Sequence, residues 1–339
     1  MDTQIYTDER IDLENAPDLP GISFRPFRDE SDFEHMVEIL EARRIADDLD
    51  WSTNVEEMRI DMQNMPRFDI ERDMLFTEVD AQVAAYCYLN WHKQSDGLYI
   101  YRLRAFVHPE WRHQGIGTAL QSFCEERARQ IASEHPKDAP KIFRCGFDDR
   151  YTYTQQLLED RGFEPERYFF SMERPIDAPL REAPMPEGLE IRPVRPEDVD
   201  AVFYANVEAF RDHWGHSEVS DEDKQRFLEH PITNPDLWKV AWDGDEVAGM
   251  VLNFVDEDEN RKFNRKRGYT EDICVRRPWR KRGLASALIA ESIRMFQEMG
   301  YEDTALGVDT ENPSGALGLY ESFGYQTSRR YATYQKTLE

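Results

Sequence analysis

The sequence has no apolar run approaching the roughly 20 residues of a membrane-spanning helix. Its opening stretch, MDTQIYTDERIDLENAPDLPG, is acidic and has no apolar core, so it does not read as a secretory signal. Cysteine is scarce: Cys87, Cys124, Cys145 and Cys274 are scattered, with no CxxC pair. That pattern fits reduced, packed thiols in a cytoplasmic protein better than disulfides or zinc, and no metal site is expected. Positive charge is also short. Against 68 Asp and Glu there are 42 Lys and Arg, giving a formal net charge of -26. Such a chain is poorly suited to coat nucleic acid or an anionic membrane; it suits a soluble protein, or one that attracts a cationic partner. Apolar residues are plentiful. At 40% hydrophobic, with 19 Phe, 15 Tyr and 7 Trp, the chain can build sizeable cores rather than remain disordered. Its 339 residues are more than one ordinary core needs, so two domains are expected.

One plan occurs twice. FRPFRDESDF begins at Phe24 and IRPVRPEDVD at Ile191; FVHPEWRHQGIGTAL begins at Phe106 and CVRRPWRKRGLASAL at Cys274. LLEDRGFE and LYESFGYQ close the two copies. The offsets of these landmarks are 167, 168 and 162 positions, which means duplicated domains rather than a solenoid of short repeats. The seam is PIDAPLREAPMPEG, where four prolines and a glycine break helices and ladders. The expected organisation is an acidic tail over 1–20, a first domain over 21–174, a linker over 175–188 and a second domain over 189–339.

Each copy reads as strand, helices, strands, loop, helix, strand, helix, strand. In the second copy LEIRPV alternates like a strand, and WKVAWDGDEVAGMVLNFV is a hairpin about Asp243-Gly244. YTEDICV and TALGVD are further strands, SRRYATYQKTL the closing one. A helix follows Gly283 and ends at Gly300, and Asn312-Pro313 is expected to open the next, with Asn as cap and Pro in first position. The class is α/β or α+β, and the hairpins argue against a purely parallel sheet.

In both copies a strand ends in Val, an Arg follows five residues on, and then come two residues, Gly, one residue, and Gly or Ala, where a helix begins. The first turn of a helix has unpartnered N–H groups and favours negative charge. Small residues there let a ligand reach the backbone, which makes an anion cradle suited to a pyrophosphate. In the second copy Arg280, Lys281 and Arg282 add charge before Gly283, Leu284 and Ala285; in the first, Val107 precedes Arg112, His113, Gln114, Gly115, Ile116 and Gly117. The spacing matches neither an ATP-type P-loop nor a dinucleotide fingerprint.

The order strand, R-x-x-G-x-G/A, helix, strand, then NPSGALGLYESFGY resembles the GNAT superfamily of acyl-CoA-dependent N-acetyltransferases. The likeness spans nearly the whole chain as two tandem copies, in a layout similar to the mycothiol synthase group, and is most specific from Tyr269 to Tyr325. It implies two GNAT-like domains, each a mixed, largely antiparallel sheet flanked by helices. It also implies acetyl-CoA as cofactor, its pyrophosphate on Arg280 to Ala285 near Asn312 and its pantetheine along the strand ending at Cys274 and Val275. Tyr320 then stands where a phenol donates to the leaving sulfur, although its spacing with Leu317 and Gly324 also suits a core aromatic. Backbone N–H groups of Cys274 or Val275 are expected to stabilise the oxyanion. Strand alternation lets only one of Glu271 and Asp272 face the acetyl group, and Glu271 is the candidate base, acting through water. Phe210, His213 and Trp214, in AFRDHWG, are candidate acceptor contacts.

Aligned on Gly162 and Gly324, the first copy has Leu158 opposite Tyr320 and Arg150 opposite Asn312, so it is expected to bind CoA at most, unless Tyr151 or Tyr153 substitutes. The leading function is acetylation of a primary amine on a small molecule, with the chain a monomer or homodimer. Protein acetylation at lysine or an N-terminus is an alternative, and so is a non-catalytic acyl-CoA sensor. The basic block NRKFNRKRG, 260–268, reads as a solvated hairpin tip rather than a nucleic-acid site.

Overall fold

The computed structural model describes residues 10–216, 219–312 and 314–338. The first copy comprises β1 (Ile22–Arg25), α1 (Ser31–Ala46), α2 (Val55–Gln63), β2 (Met74–Val79), β3 (Gln82–Lys93), β4 (Tyr99–Val107), α3 (Ile116–Ala132), β5 (Lys141–Asp148), α4 (Thr152–Asp160) and β6 (Glu164–Pro175). The second comprises β7 (Glu190–Ile191), α5 (Val199–Phe210), α6 (Asp221–Glu229), β8 (Lys239–Asp243), β9 (Glu246–Phe254), α7 (Glu257–Phe263), β10 (Arg267–Val275), α8 (Leu284–Glu298), β11 (Asp303–Asp309), α9 (Ala316–Ser322) and β12 (Gln326–Thr337). The mixed α/β class holds. The expected hairpin about Gly244 forms between β8 and β9, and the strand expected from LEIRPV shortens to the two residues of β7.

The described strands form one sheet in the order β1-β2-β3-β4-β5-β12-β6-β11-β10-β9-β8-β7. Each copy gives its closing strand to the other: β12 lies beside β5, and β6 beside β11. Most pairings are antiparallel; β4–β5 and β10–β11 are parallel. The helices α1 and α2 cover one face of β2–β4 through Phe33, Met36, Phe76 and Tyr86, while α3 covers the other through Leu120, Leu75 and Leu89. The second copy repeats this, with α5 packed on Val240, Trp242 and Met250 and α8 on Ala248, Val251 and Leu306. Gly300 (φ +78°) terminates α8 in the left-handed conformation that glycine adopts without strain.

Three local expectations change. From residue 10 the acidic tail is packed: Ile11, Leu13 and Leu19 lie on the first core, and Ile11 N–H bonds Phe24 O at 2.9 Å. Residues 1–9 lie outside the described residues. The basic block is no hairpin tip; it contains the end of α7 and the start of β10. There Arg265 and Arg267 reach Asp50 of the first copy, and Arg267 also pairs with Glu173 and Asp303. Carboxylates distant in sequence draw these arginines in, because a buried guanidinium needs such partners. Asn312 does not cap a helix. Its side chain accepts from Ser314 N–H at 2.9 Å, a local turn that competes with helix, and α9 starts at Ala316 after Gly315 in the left-handed region. Pro313 lies outside the described residues.

The proline-rich segment is anchored rather than loose. Arg174, fully buried, donates to the carbonyls of Phe323, Pro175, Ile176 and Ala178, so the chain leaving β6 is fastened to the second copy. Among the described residues, all four cysteines are buried and unpaired, and no helix is long and apolar enough to cross a membrane.

Candidate active site

The site in the second copy begins where two parallel strands part. β10 and β11 share rungs from Arg267–Asp303 to Tyr269–Ala305 and then diverge. On its other edge β10 carries one extra residue against β9, between Glu271 and Cys274, and Asp272 there takes a φ of +46°. Such a bulge bends the strand and breaks the alternation of side chains. The expectation that only one of Glu271 and Asp272 faces the cleft therefore fails: both line it. Arg276 N–H bonds Ala248 O on β9 at 3.0 Å. Alternation then turns Cys274 N–H toward β9 and Val275 N–H into the gap, so of the two expected oxyanion donors only Val275 faces the opening.

Glu271 spans the gap. Its carboxylate accepts Gly307 N–H of β11 at 3.0 Å. The side chain keeps part of its surface open to the cleft, yet burial, followed by the neighbouring Asp272, pushes its carboxyl up to about 8, with the Gly307 bond opposing. Desolvation likewise raises Asp272, against a bond from Asn206. Tyr320 projects from α9 and is buried, and burial followed by Glu271 raises its phenol well above its ordinary value. The hydroxyl has no hydrogen-bond partner among the described residues, so it remains a protonated, uncommitted donor at neutral pH.

The cradle follows β10. Lys281 (φ +61°) and Gly283 (φ +87°) both adopt the left-handed conformation, and the first bond of α8 is Ala287 N–H to Gly283 O at 3.1 Å. The N–H groups at the start of α8 thus precede any intrahelical partner. The first copy winds the same way, with His113 at +62°, Gly115 at +84° and Ala119 N–H on Gly115 O. The basic run is less free than its sequence implies. Arg276 pairs with Glu208 and Arg277 with Asp212, while Arg280 donates to Val275 O and Ala209 O. Arg282 turns to Glu187 O and does not line the cleft. Lys281, exposed, is the cation of this run without a hydrogen-bond or ion-pair partner among the described residues.

These parts enclose a cavity of about 950 Å³ that also takes in Leu284, Ala285, Asn312, Phe210 and His213. Burial, with Arg280 adding to it, lowers the His213 imidazole from its ordinary value. Trp214 is not part of the lining. It lies over the guanidiniums of Arg144 at 4.3 Å and Arg167 at 5.1 Å, fastening the segment after α5 to the first copy. Sequence reasoning missed Phe169, Phe170 and Tyr331, which come from the exchanged strands, and Gly307, whose only signal was a glycine within a strand.

The first copy has a cavity of about 560 Å³ in the corresponding place, lined by Val107, Arg112, His113, Gly115, Gly117 and, in place of a phenol on α4, Leu158. Gln114 bonds Glu110 O instead, and Ile116 is buried in the core. Two contacts crowd the cradle of this copy. A Cβ on Gly115 would come within 2.9 Å of Pro17, and Arg112 is held by Asp47 through two bonds of 2.7 Å.

Both copies are similar to known proteins. A profile described as "Acetyltransferase (GNAT) family" matches residues 199–325, and one described as "Acetyltransferase (GNAT) domain" matches 71–165. A mycothiol acetyltransferase of Salinispora arenicola is 27% identical over 234 residues, 68% of this chain and 71% of that protein. Among solved structures, a GCN5-related N-acetyltransferase from Sphaerobacter thermophilus superposes with a TM-score of 0.70 at 24% identity, covering 95% of this chain and 97% of the other. A tandem GNAT protein from the clavulanic acid biosynthesis pathway gives 0.63 at 14%, covering 94% and 99%.

Proposed function

Because this chain belongs to the GNAT family of acetyltransferases, as a tandem pair of such domains with acetyl-CoA as acyl donor, we propose that its second copy, 189–339, acetylates a primary amine on a small molecule by direct attack. The first copy, 21–174, joined through 175–188, supplies a wall of that cleft rather than a second catalytic centre. The observation that carries this reading is the gap between β10 and β11, with Glu271 across it and Tyr320 beside it in one cavity.

In this reading the diphosphate lies on the N–H groups opening α8, with Lys281 beside it, and the thioester carbonyl points at Val275 N–H. The acceptor enters past Phe210 and His213, and Glu271 takes its proton, directly or through water. The neutral amine then attacks the carbonyl carbon, and the tetrahedral intermediate collapses with cleavage of the C–S bond as Tyr320 donates to the sulfur and the surplus proton left on the nitrogen passes to the phenolate, giving the amide, the free thiol and the restored phenol. A small acceptor suits an opening walled by Phe169 and Tyr331 from the exchanged strands as well as by Phe210 and His213. The acidic surface raises the encounter rate of cationic amines. The mycothiol acetyltransferases among the relatives are enzymes named for a small-molecule product, which favours the same class.

Release of CoA thiol, measured against a panel of small amines and of lysine and N-terminal peptides, tests the proposal. Turnover with small amines is expected. Turnover confined to peptides would shift the assignment to protein acetylation, and acetyl-CoA binding without turnover would leave a sensor.

The Glu271 carboxyl makes a separate prediction. Its base form accumulates as pH rises through about 8, so kcat/KM should climb over that range. Glu271→Gln should lose this limb and fall by about 100-fold in kcat/KM at high pH. Stability has the opposite slope. A folded-state value raised from 4.5 to about 8 means the folded chain holds this proton more tightly than the unfolded chain. The stabilisation is complete below the lower value and is lost as pH rises through the upper one. Denaturant titrations of wild type and Glu271→Gln at several pH values should therefore diverge between these limits, with the variant less sensitive to pH. Parallel curves would refute the placement of this group.

A further inference from the structure

We propose that the cleft of the first copy binds a carboxylate-bearing small molecule with a flat apolar body, at a site centred on Arg104, Gly146 and Tyr151, and does not turn it over. The argument comes from superimposing the two clefts rung by rung. In the second copy the last rung between the parting strands is Tyr269–Ala305, and two residues further on Glu271 meets Gly307. In the first copy the last rung is Arg102–Arg144, and two residues further on stand Arg104 and Gly146. Asp149 N–H bonds Arg330 O, which fixes the hydrogen-bonded rungs between β5 and β12. Alternation then turns Gly146 N–H away from β12 and toward β4, as Gly307 N–H turns toward β10. The backbone donor is retained while the side chain opposite it changes from carboxylate to guanidinium. A ligand carboxylate would supply here what Glu271 supplies in the second copy.

The surroundings select the same chemistry. The acidic groups of this cleft are already engaged: Asp47 holds Arg112, and Asp148 holds Arg150 at 3.0 and 2.8 Å. Arg43 and Arg104 have no carboxylate partner among the described residues. Arg43 lies over the rings of Phe106 at 5.0 Å and Tyr151 at 5.7 Å, and Arg104 over Tyr88 at 5.8 Å. In a chain of net charge -26, two such arginines at one cavity are a local inversion of sign. Tyr151 is 8% exposed, and its hydroxyl is buried with no hydrogen-bond partner, although buried polar groups are ordinarily paired. Trp51, Trp111 and Phe106 give the cavity flat apolar walls, and about 560 Å³ is room for a small molecule. Acetyl-CoA is the poorer occupant, because Pro17 sits against Gly115 at the cradle. Tyr331 of β12 lines both cavities, so an occupant here shares a wall with the catalytic cleft.

Calorimetric titration of the full chain with phenylacetate, and with uncharged phenylacetamide of nearly the same shape, tests the site. Saturating acetyl-CoA keeps the second cleft filled. One phenylacetate per chain is expected, bound at least about tenfold more tightly than phenylacetamide, and Arg104→Gln should weaken it by about tenfold or more. Tyr151→Phe should weaken it less. Equal affinity for the two probes, unchanged affinity in Arg104→Gln, or no binding of phenylacetate at millimolar concentration would each overturn the proposal. So would a second acetyl-CoA per chain that displaces phenylacetate. None of these outcomes bears on turnover in the second copy, which CoA thiol release reports separately.

Discussion

Tyr320→Phe is expected to lower kcat by about 100- to 10,000-fold, the usual contribution of a general acid, while leaving the KM for acetyl-CoA nearly unchanged. The phenol lines the cavity and makes no hydrogen bond within the described protein, so removing its oxygen orphans no partner and should cost the fold little. Phenylalanine keeps the ring that packs against Tyr325, whose centroid is 6.3 Å away. The loss therefore falls on the chemical step, where the thiolate departs without a donor. The expected signature is a depressed kcat with intact thermal stabilisation by acetyl-CoA. A kcat within about threefold of wild type would remove Tyr320 from the mechanism and leave it as a core aromatic.

Gly283→Glu should abolish the stabilisation that acetyl-CoA confers. At about 100 times its dissociation constant a ligand adds about 2.7 kcal/mol to the stability of the state that binds it. Position 283 opens α8 with a φ of +87°, and its N–H is one of the donors left without an intrahelical partner. A carboxylate there brings negative charge to the place proposed for the diphosphate and competes for the same amides. A side chain in this conformation also strains the backbone by about 1–2 kcal/mol, so the unliganded melting temperature should fall as well. The diagnostic quantity is the ligand-induced shift within each protein. If the variant retains the wild-type shift, the diphosphate lies elsewhere and the assignment of the cradle fails.

Much of this site was legible in the sequence because it is local. Gly283 and Ala285, the Val that ends each strand and the Asp243-Gly244 hairpin all act through neighbouring backbone, where residue type dictates conformation. Two copies of the pattern at nearly constant offset made it stronger still. The sequence was misleading where charge was judged by residue type: Arg280 and Arg282 are basic, yet Arg280 donates to the carbonyls of Val275 and Ala209 and Arg282 to that of Glu187. Trp214 was similarly open, since an aromatic near a cleft either lines it or fastens something beside it.

By itself, then, the sequence determined the duplication, the class of fold and the strand-loop-helix unit proposed to receive the diphosphate, and its resemblance to the GNAT superfamily pointed to the coenzyme. Only the tertiary structure decided that each copy lends its closing strand to the other, that one extra residue at Asp272 turns two carboxylates into one cleft, and that Val275 rather than Cys274 faces the gap. The reason is physical. Helix starts and turns are set by dihedral preferences within a few residues, whereas strand exchange, bulge position and the partner of a given arginine depend on which distant segments lie alongside.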